Sequence, residues 1–385
     1  MLTLDDKTVW VNYVADKITA KMDWVSEKSK NKIPYTTIDG EHDDRSVHNP
    51  THSVDDGICW WTNGFWGGMM WQLYNATGDT KYKQIAEISE VKLDSCFQQF
   101  DGLHHDVGFM WLPTSVANYK LTRNPDSRNR ALHAANLLAG RYNPAGEFIR
   151  AWNDIEGEDT RGWAIIDCML NIPLLYWASK ETGDPRFQHI ARKHADTTMK
   201  TFVRPDGSVN HIVEFDPTVG GVIDTYGGQG YKEGSSWTRG QSWAIYGFMM
   251  SYNWTHKEEY LDTAKRIAHY FIACIPEHGI IPIDFRQPVE PALEDSTAAA
   301  VAACGLIEIA KIVETHEKAL YLDAAIKLLQ VLDQSRTDWT SSCDCILQNG
   351  SAAYHAKSHH QSIIYGDYFF IEAIFKLKGS DLYIW

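Results

Sequence analysis

Gly64-Phe-Trp-Gly-Gly-Met-Met-Trp-Gln-Leu-Tyr-Asn-Ala-Thr77-Gly78-Asp79-Thr-Lys-Tyr82 is the stretch that decides the fold. Gly64–Leu73 is apolar nearly all round. A helix with no polar face has to be enclosed on every side. Thr77-Gly78-Asp79 then supplies a stop and a start, glycine just past one helix and aspartate opening the next. Tyr82 follows, placed to pack back on the helix just ended.

The unit recurs. Thr182-Gly183-Asp184-Pro185 leads to Phe187 after the apolar run Ala164–Ala178. Weaker copies are Thr122-Arg123-Asn124-Pro125-Asp126, His256–Tyr260, His316–Tyr321 and Gly379–Tyr383. Gln241–Tyr252, Ala298–Ile312 and Tyr368–Leu377 are further enclosed segments. Amphipathic segments alternate with them. Trp10, Val14, Ile18, Met22 and Val25 share one helix face, as do Phe187, Ile190, Ala191 and His194. Tyr321, Ala324, Ala325, Leu328, Leu329 and Leu332 do the same. The chain thus carries six copies of enclosed helix, turn and amphipathic helix. The last is cut short by the chain end, and the helix near Trp10 can complete it. The copies are spaced at roughly 45 to 75 residues. Such repeats build an open solenoid or a closed ring. The reading preferred is the ring, an all-α (α/α)6 toroid with its long loops gathered at one mouth. Val209–Phe215 and Ile280–Phe285 read as minor β-hairpin strands. No Pro-, Gly- or Ser-rich linker interrupts the chain, which predicts one domain over residues 1–385.

Composition narrows the function. The 385 residues carry a net charge of −14 with no basic stripe, which argues against nucleic acid and against an anionic membrane surface. An anionic small substrate remains open if a local cation meets it. The fifteen tryptophans suit sugar stacking and core packing equally. Asp5 and Asp6 stand where a signal peptide would want basic residues, and no apolar run is long enough to span a bilayer. The seven scattered cysteines include a lone Cys343-x-Cys345 and form no disulfide or zinc framework. A cytoplasmic protein with reduced thiols is expected, a monomer or weak homo-oligomer.

Three constellations carry chemistry. Asp167 lies in the apolar run Arg161–Trp177, read here as an inner helix. Burial raises a carboxyl's pKa, which suits a proton donor, unless the aspartate merely caps a neighbour's backbone. Pro173 either kinks that helix or marks a different start. Asp106, in His104-His105-Asp106-Val-Gly-Phe, is either a helix N-cap or a second functional carboxylate. Adjacent residues do not face each other on a helix and no His-x-x-x-His partner appears, so no metal site is expected. His359-His360 and His48/His52 read as solvated loop residues. Gln229 to Trp243 holds Ser235-Ser236-Trp237-Thr238-Arg239, a helix start that favours anions. Arg239 either clasps a substrate carboxylate or pairs with a structural acid. Trp61 and Trp152 precede inner segments, placed to stack on a sugar or to pack.

HHDVGF at 104–109, IIDCMLNIPLL at 165–175, SSWTRGQSWAIYGF at 235–248 and YGDYFF at 365–370 together resemble the unsaturated glucuronyl hydrolases of glycoside hydrolase family 88. The resemblance runs from about Trp60 to Tyr368. It implies a cytoplasmic hydrolase that needs no metal or organic cofactor. Its substrates would be lyase-made oligosaccharides ending in a 4,5-unsaturated glucuronic acid. It implies that Asp167 protonates C4 of the enol ether and helps water add at C5, after which the hemiketal opens. Asp106 matches the second family aspartate. Trp61, Trp152, His211, Gln229, Trp237, Arg239 and Tyr354 match substrate-binding positions. Some members carry histidine before the glutamine, where this chain has Gly228. The segment between Tyr354 and Tyr365 is also shorter than in some relatives, which touches the leaving-sugar side and Lys357. The alternatives are a related unsaturated rhamnogalacturonyl hydrolase, a toroidal sugar epimerase, which would need paired histidines at the mouth, and a non-catalytic sugar-binding protein.

Overall fold

A computed structural model describes residues 4–47, 57–154 and 157–385, so the pair His48/His52 lies outside the described residues. In chain order the helices are α1 (Leu4–Lys28), α2 (Gly64–Thr77), α3 (Thr80–Lys92), the short α4 (Asp94–Gln98), α5 (Val107–Trp111), α6 (Ala117–Thr122), α7 (Pro125–Gly140), α8 (Pro173–Thr182), α9 (Arg186–Thr201), α10 (Thr238–Thr255), α11 (Glu258–Cys274), α12 (Ser296–Ile312), α13 (Thr315–Ser335) and α14 (Ile364–Lys378). The inner ring is α2, the α5–α6 pair, α8, α10, α12 and α14, and each touches its neighbours until α14 meets α2. The outer layer is α1, α3, α7, α9, α11 and α13. This is the (α/α)6 toroid, and α1 packs on α14 as the outer helix beside it.

The repeated turn works as its residues dictate. Gly78 and Gly183 end α2 and α8 in the left-handed region, each at φ 73°. Asp79 accepts the backbone N–H of Lys81, and Asn124 that of Asp126, opening the outer helices. Tyr82, Phe187, Tyr260 and Tyr321 fold back and are buried. The core runs without a break from Val11 to Trp385. Trp66, Trp71, Trp111, Trp243 and Trp385 are fully buried, so packing claims a large share of the tryptophans. No helix among the described residues is long and apolar enough to cross a membrane.

Two local expectations are corrected. Ala164–Ala178 is not one helix. Trp163–Ile165 is a strand, Ile166–Leu170 a 3₁₀ turn, and α8 starts only at Pro173. Proline fits the first helical position, where its missing N–H has no partner to lose. Between α5 and α6, Leu112–Val116 forms a π turn around Pro113. Ile280–Phe285 makes only isolated bridges, Trp237 to Asp284 and Pro282 to Glu294. The strands are two small hairpins, β1 (Thr37–Ile38) with β2 (Glu41–His42) and β3 (Tyr142–Asn143) with β4 (Phe148–Ile149). A three-stranded antiparallel sheet follows, β5 (Trp163–Ile165), β6 (Ile212–Phe215) and β7 (Val222–Tyr226).

Candidate active site

The sheet and the loops before the inner helices enclose a cavity of about 310 Å³. Trp60, Trp61, His104, His105, Asp106, Trp152, Asn153, Asp154, Ile165, Asp167, His211 and Gln229 line it. Six of the nine residues singled out in the sequence therefore meet in one place: Asp167, Asp106, Trp61, Trp152, His211 and Gln229.

Asp167 is presented by a change of backbone. β5 ends at Ile165, and the 3₁₀ turn swings the carboxyl into the cavity, with the residue only 9% exposed. Asn171, one turn on, holds the arrangement. Its Nδ2 donates to Asp106 Oδ1 at 2.8 Å and to the Asp167 carbonyl at 3.1 Å, while its Oδ1 accepts the Phe109 N–H at 2.7 Å. One side chain thus ties the Asp167 turn to the start of α5. The approach is close, because a Cβ on Gly108 would lie 2.5 Å from the Asn171 backbone.

Asp106 sits at the N-cap position of α5 but caps nothing with its side chain. Its carboxylate faces His104 Nδ1 and His105 Nε2, each at 3.4 Å. Adjacent residues do converge here, contrary to expectation, since the run is a turn rather than a helix. His104, His105 and Asp106 bring ligand-type atoms within 4.8 Å of one another. The same carboxylate also takes the Asn171 hydrogen bond. Burial pushes the Asp106 carboxyl up, but His105, His104 and the Asn171 bond outweigh it and hold it below the ordinary range. Asp167 goes the other way. Burial first, and the Asp106 charge second, push it up to about 7. Two carboxyls in one cavity are thereby driven apart, one ionised and one able to carry a proton near neutrality.

His211 completes this wall. Its Nδ1 accepts the Gln229 N–H at 3.0 Å, so the neutral ring carries its proton on Nε2. Nε2 lies 3.8 Å from Asp167 Oδ2, beyond hydrogen-bond reach. Burial and the Arg239 charge lower its pKa to about 3, so the ring stays neutral. Gly228 now has a physical reason: at φ 55°, a Cβ there would lie 1.9 Å from His211 Nδ1.

The other three expected residues stand behind the lining. Trp237 is buried and packs against His211 with ring centroids 4.3 Å apart. Arg239 is 1% exposed and lies over Trp237. The carboxylate it clasps in this structure is the chain's own Asp295, and its Nη1 also donates to the Ser351 carbonyl at 2.7 Å. Tyr354 donates its N–H to the Gln229 carbonyl at 2.9 Å and turns its ring to Tyr231. Sequence reasoning missed Asn171 as a bridge. The one visible signal was an amide four residues after Asp167 in an apolar run.

The model of Glycosyl Hydrolase Family 88 matches residues 25–251, more than half of the chain. The unsaturated glucuronyl hydrolase of Bacillus sp. (strain GL1) is 36% identical over 333 residues, covering 84% of this chain and 88% of that one. The unsaturated chondroitin disaccharide hydrolase of Streptococcus pyogenes serotype M1 is 35% identical over 82% of this chain and 80% of its own. The crystal structure of the Bacillus sp. GL1 enzyme superposes with a TM-score of 0.85 at 34% identity, over 96% of each chain. A matched region that takes in both carboxyls and all of the cavity lining, on a shared toroid, means that the chain belongs to glycoside hydrolase family 88.

Proposed function

We propose that this chain hydrolyses oligosaccharides whose non-reducing end is a 4,5-unsaturated glucuronic acid, the products of polysaccharide lyases. The observation that carries the reading is the split pair of carboxyls, with Asp167 protonated near neutrality beside an ionised Asp106. The names of the relatives point to the same substrate class. Asp167 gives its proton to C4 of the enol ether, and water adds at C5 as Asp167 takes a proton back. The hemiketal at C5 then opens with cleavage of the C5–O5 bond, which leaves a hemiacetal at C1, and its collapse to the aldehyde releases the leaving sugar. Trp61 and Trp152 supply ring faces, and the Asp106 charge stabilises the cationic character that develops at C5. His211, held neutral by Gln229, offers an N–H toward the water or a sugar hydroxyl. Trp237, Arg239 and Tyr354 serve by holding His211, the field at Asp167 and the Gln229 loop. The core shared by both ends of the described chain supports a single domain. The seven cysteines stand as thiols, which fits a cytoplasmic setting.

The enol ether absorbs in the near ultraviolet and its hydration removes the absorbance. A panel of unsaturated chondroitin, hyaluronan, heparin and gellan fragments should include at least one that loses its signal. An unchanged signal on all of them sinks the proposal. The pH profile follows from the two carboxyls. Activity should fall about ten-fold per pH unit as pH rises past about 7, where Asp167 loses its proton. The acid limb should lie below the ordinary carboxylate range, because Asp106 holds its charge there.

Asn171→Leu tests the bridge. Without that hydrogen bond Asp106 loses one of the groups that hold its pKa down, beside His105 and His104, and protonates more readily. The acid limb should move to higher pH, and kcat should drop about ten- to a hundred-fold through misplacement. A variant with unchanged limbs would remove Asn171 from this role.

A further inference from the structure

The sheet β5–β6–β7 has two unlike faces. Ala164 and Val213 point into the main core and are fully buried. Strand alternation sends Trp163, Ile165, Ile212 and Glu214 to the opposite side. The register puts Ile165, Ile212 and Tyr226 in one cross-strand row, and Trp163, Glu214 and Asp224 in the next. Ile165 lines the cavity, so this face is the cavity wall continued outward.

Three rings follow one another along it. Trp152 in the cavity lies 6.0 Å from Trp163, and Trp163 lies 5.3 Å from Tyr226 with the planes 37° apart. These rings pack with Ala151, Ile165 and Ile212 in a small cluster separate from the main core. All three are only partly buried. The mechanism uses Trp152 and leaves Trp163 and Tyr226 without a task. The row beside them is acidic. Glu214 accepts the Tyr226 hydroxyl proton, and Asp224 is exposed. The nearby Arg161 is engaged by Asp159 at 2.6 Å.

We propose that Trp163 and Tyr226 form a stacking platform for the sugars that follow the unsaturated uronate, and that it selects uncharged ones. Flat ring faces take up the apolar faces of pyranose rings, and each good aromatic contact adds binding beyond simple area burial. Glu214 and Asp224 repel a sulfate or carboxylate placed on the same platform. The chain is therefore suited to oligosaccharides longer than a disaccharide with neutral residues next to the uronate. This inference rests on the hydrolase reading above.

The test compares kcat/KM for an unsaturated disaccharide and for an unsaturated tetrasaccharide whose following sugars are neutral, both followed by loss of absorbance. In the wild-type chain the tetrasaccharide should be the better substrate. Trp163→Ala should lower the tetrasaccharide-to-disaccharide ratio about three- to ten-fold, and Trp163→Phe should restore most of it. Tyr226→Ala, on the exposed edge strand, should lower the same ratio and stands in if Trp163→Ala does not fold. A tetrasaccharide sulfated next to the uronate should be the poorer substrate, and Asp224→Asn should narrow that gap. A ratio unmoved in both alanine variants overturns the platform. Absorbance that neither substrate loses in the wild-type chain overturns the hydrolase reading instead.

Discussion

Asp167→Asn should lower kcat on the order of a thousand-fold and make the folded chain more stable at alkaline pH. The first effect follows from the proton. An amide keeps the shape of the carboxyl but cannot hand a proton to C4, and a positioned general acid contributes about 10²- to 10⁴-fold. The second follows from linkage. The folded-state pKa of about 7 lies above the ordinary value of 3.8. The folded chain therefore binds a proton that the unfolded chain releases as pH rises past its own value. Stability falls across that window and levels off above about 7. Every tenfold difference in proton affinity between the two states corresponds to about 1.4 kcal/mol, an upper bound once the cavity relaxes or admits water. The asparagine variant lacks this cost, so it should gain about 1–3 kcal/mol at about pH 8 and much less at about pH 4. Denaturant unfolding at the two pH values gives the comparison. An active Asp167→Asn chain, or one equally stable at both, would remove Asp167 from the role of buried donor.

That carboxyl also shows where reading a sequence stops. The turns were legible because their physics is local: Gly78, Gly183, Asp79 and Asn124 act on their own backbone within two or three residues. Ring closure was legible because the missing outer helix was visible at Trp10. The strand before Asp167 was not. An uninterrupted apolar run suits a buried helix and a buried strand alike, and periodicity cannot separate them. Pro173 was the one mark of the true helix start. The site was legible as a set of residue types but not as an arrangement. His104 and His105 converge on Asp106 because the run before α5 is a turn, where helix spacing does not apply. Asn171 reaches Asp106 across 65 residues of sequence.

In the proposed mechanism the two carboxyls work as one device. Asn171 and the histidines keep Asp106 ionised, and that charge helps to keep Asp167 protonated. Burial and charge together set an ionised carboxylate beside a protonated carboxyl. The neutral His211 fits the same scheme, since a cation at its position, facing Asp167 Oδ2 at 3.8 Å, would favour the ionised carboxylate and waste the donor.

Arg239→Met should be the most destabilising single change near the site, and it should also move the pH profile. Arg239 and Asp295 form a buried ion pair, with side chains 1% and 0% exposed. Asp295 also caps α12, accepting the Thr297 N–H at 3.1 Å and the Thr297 hydroxyl at 2.6 Å. Removing the guanidinium strands that carboxylate and frees the Ser351 and Ala352 carbonyls that Arg239 now holds. Breaking one side of a buried pair costs about 3–5 kcal/mol. Replacing both partners together with apolar and neutral groups should cost less, because no lone charge remains. The kinetic effect is separate. Arg239 draws the Asp167 pKa down, against burial and Asp106, which push it up. Its loss should let that pKa rise and carry the basic limb to higher pH, whereas Asn171→Leu acts on the acid limb. Folding measured by denaturant and the pH limb measured by turnover read the two effects independently. A limb that stays in place would show that the Arg239 charge does not reach Asp167. A raised KM with normal stability would instead make Arg239 a direct ligand of the uronate rather than the support of the loop behind it.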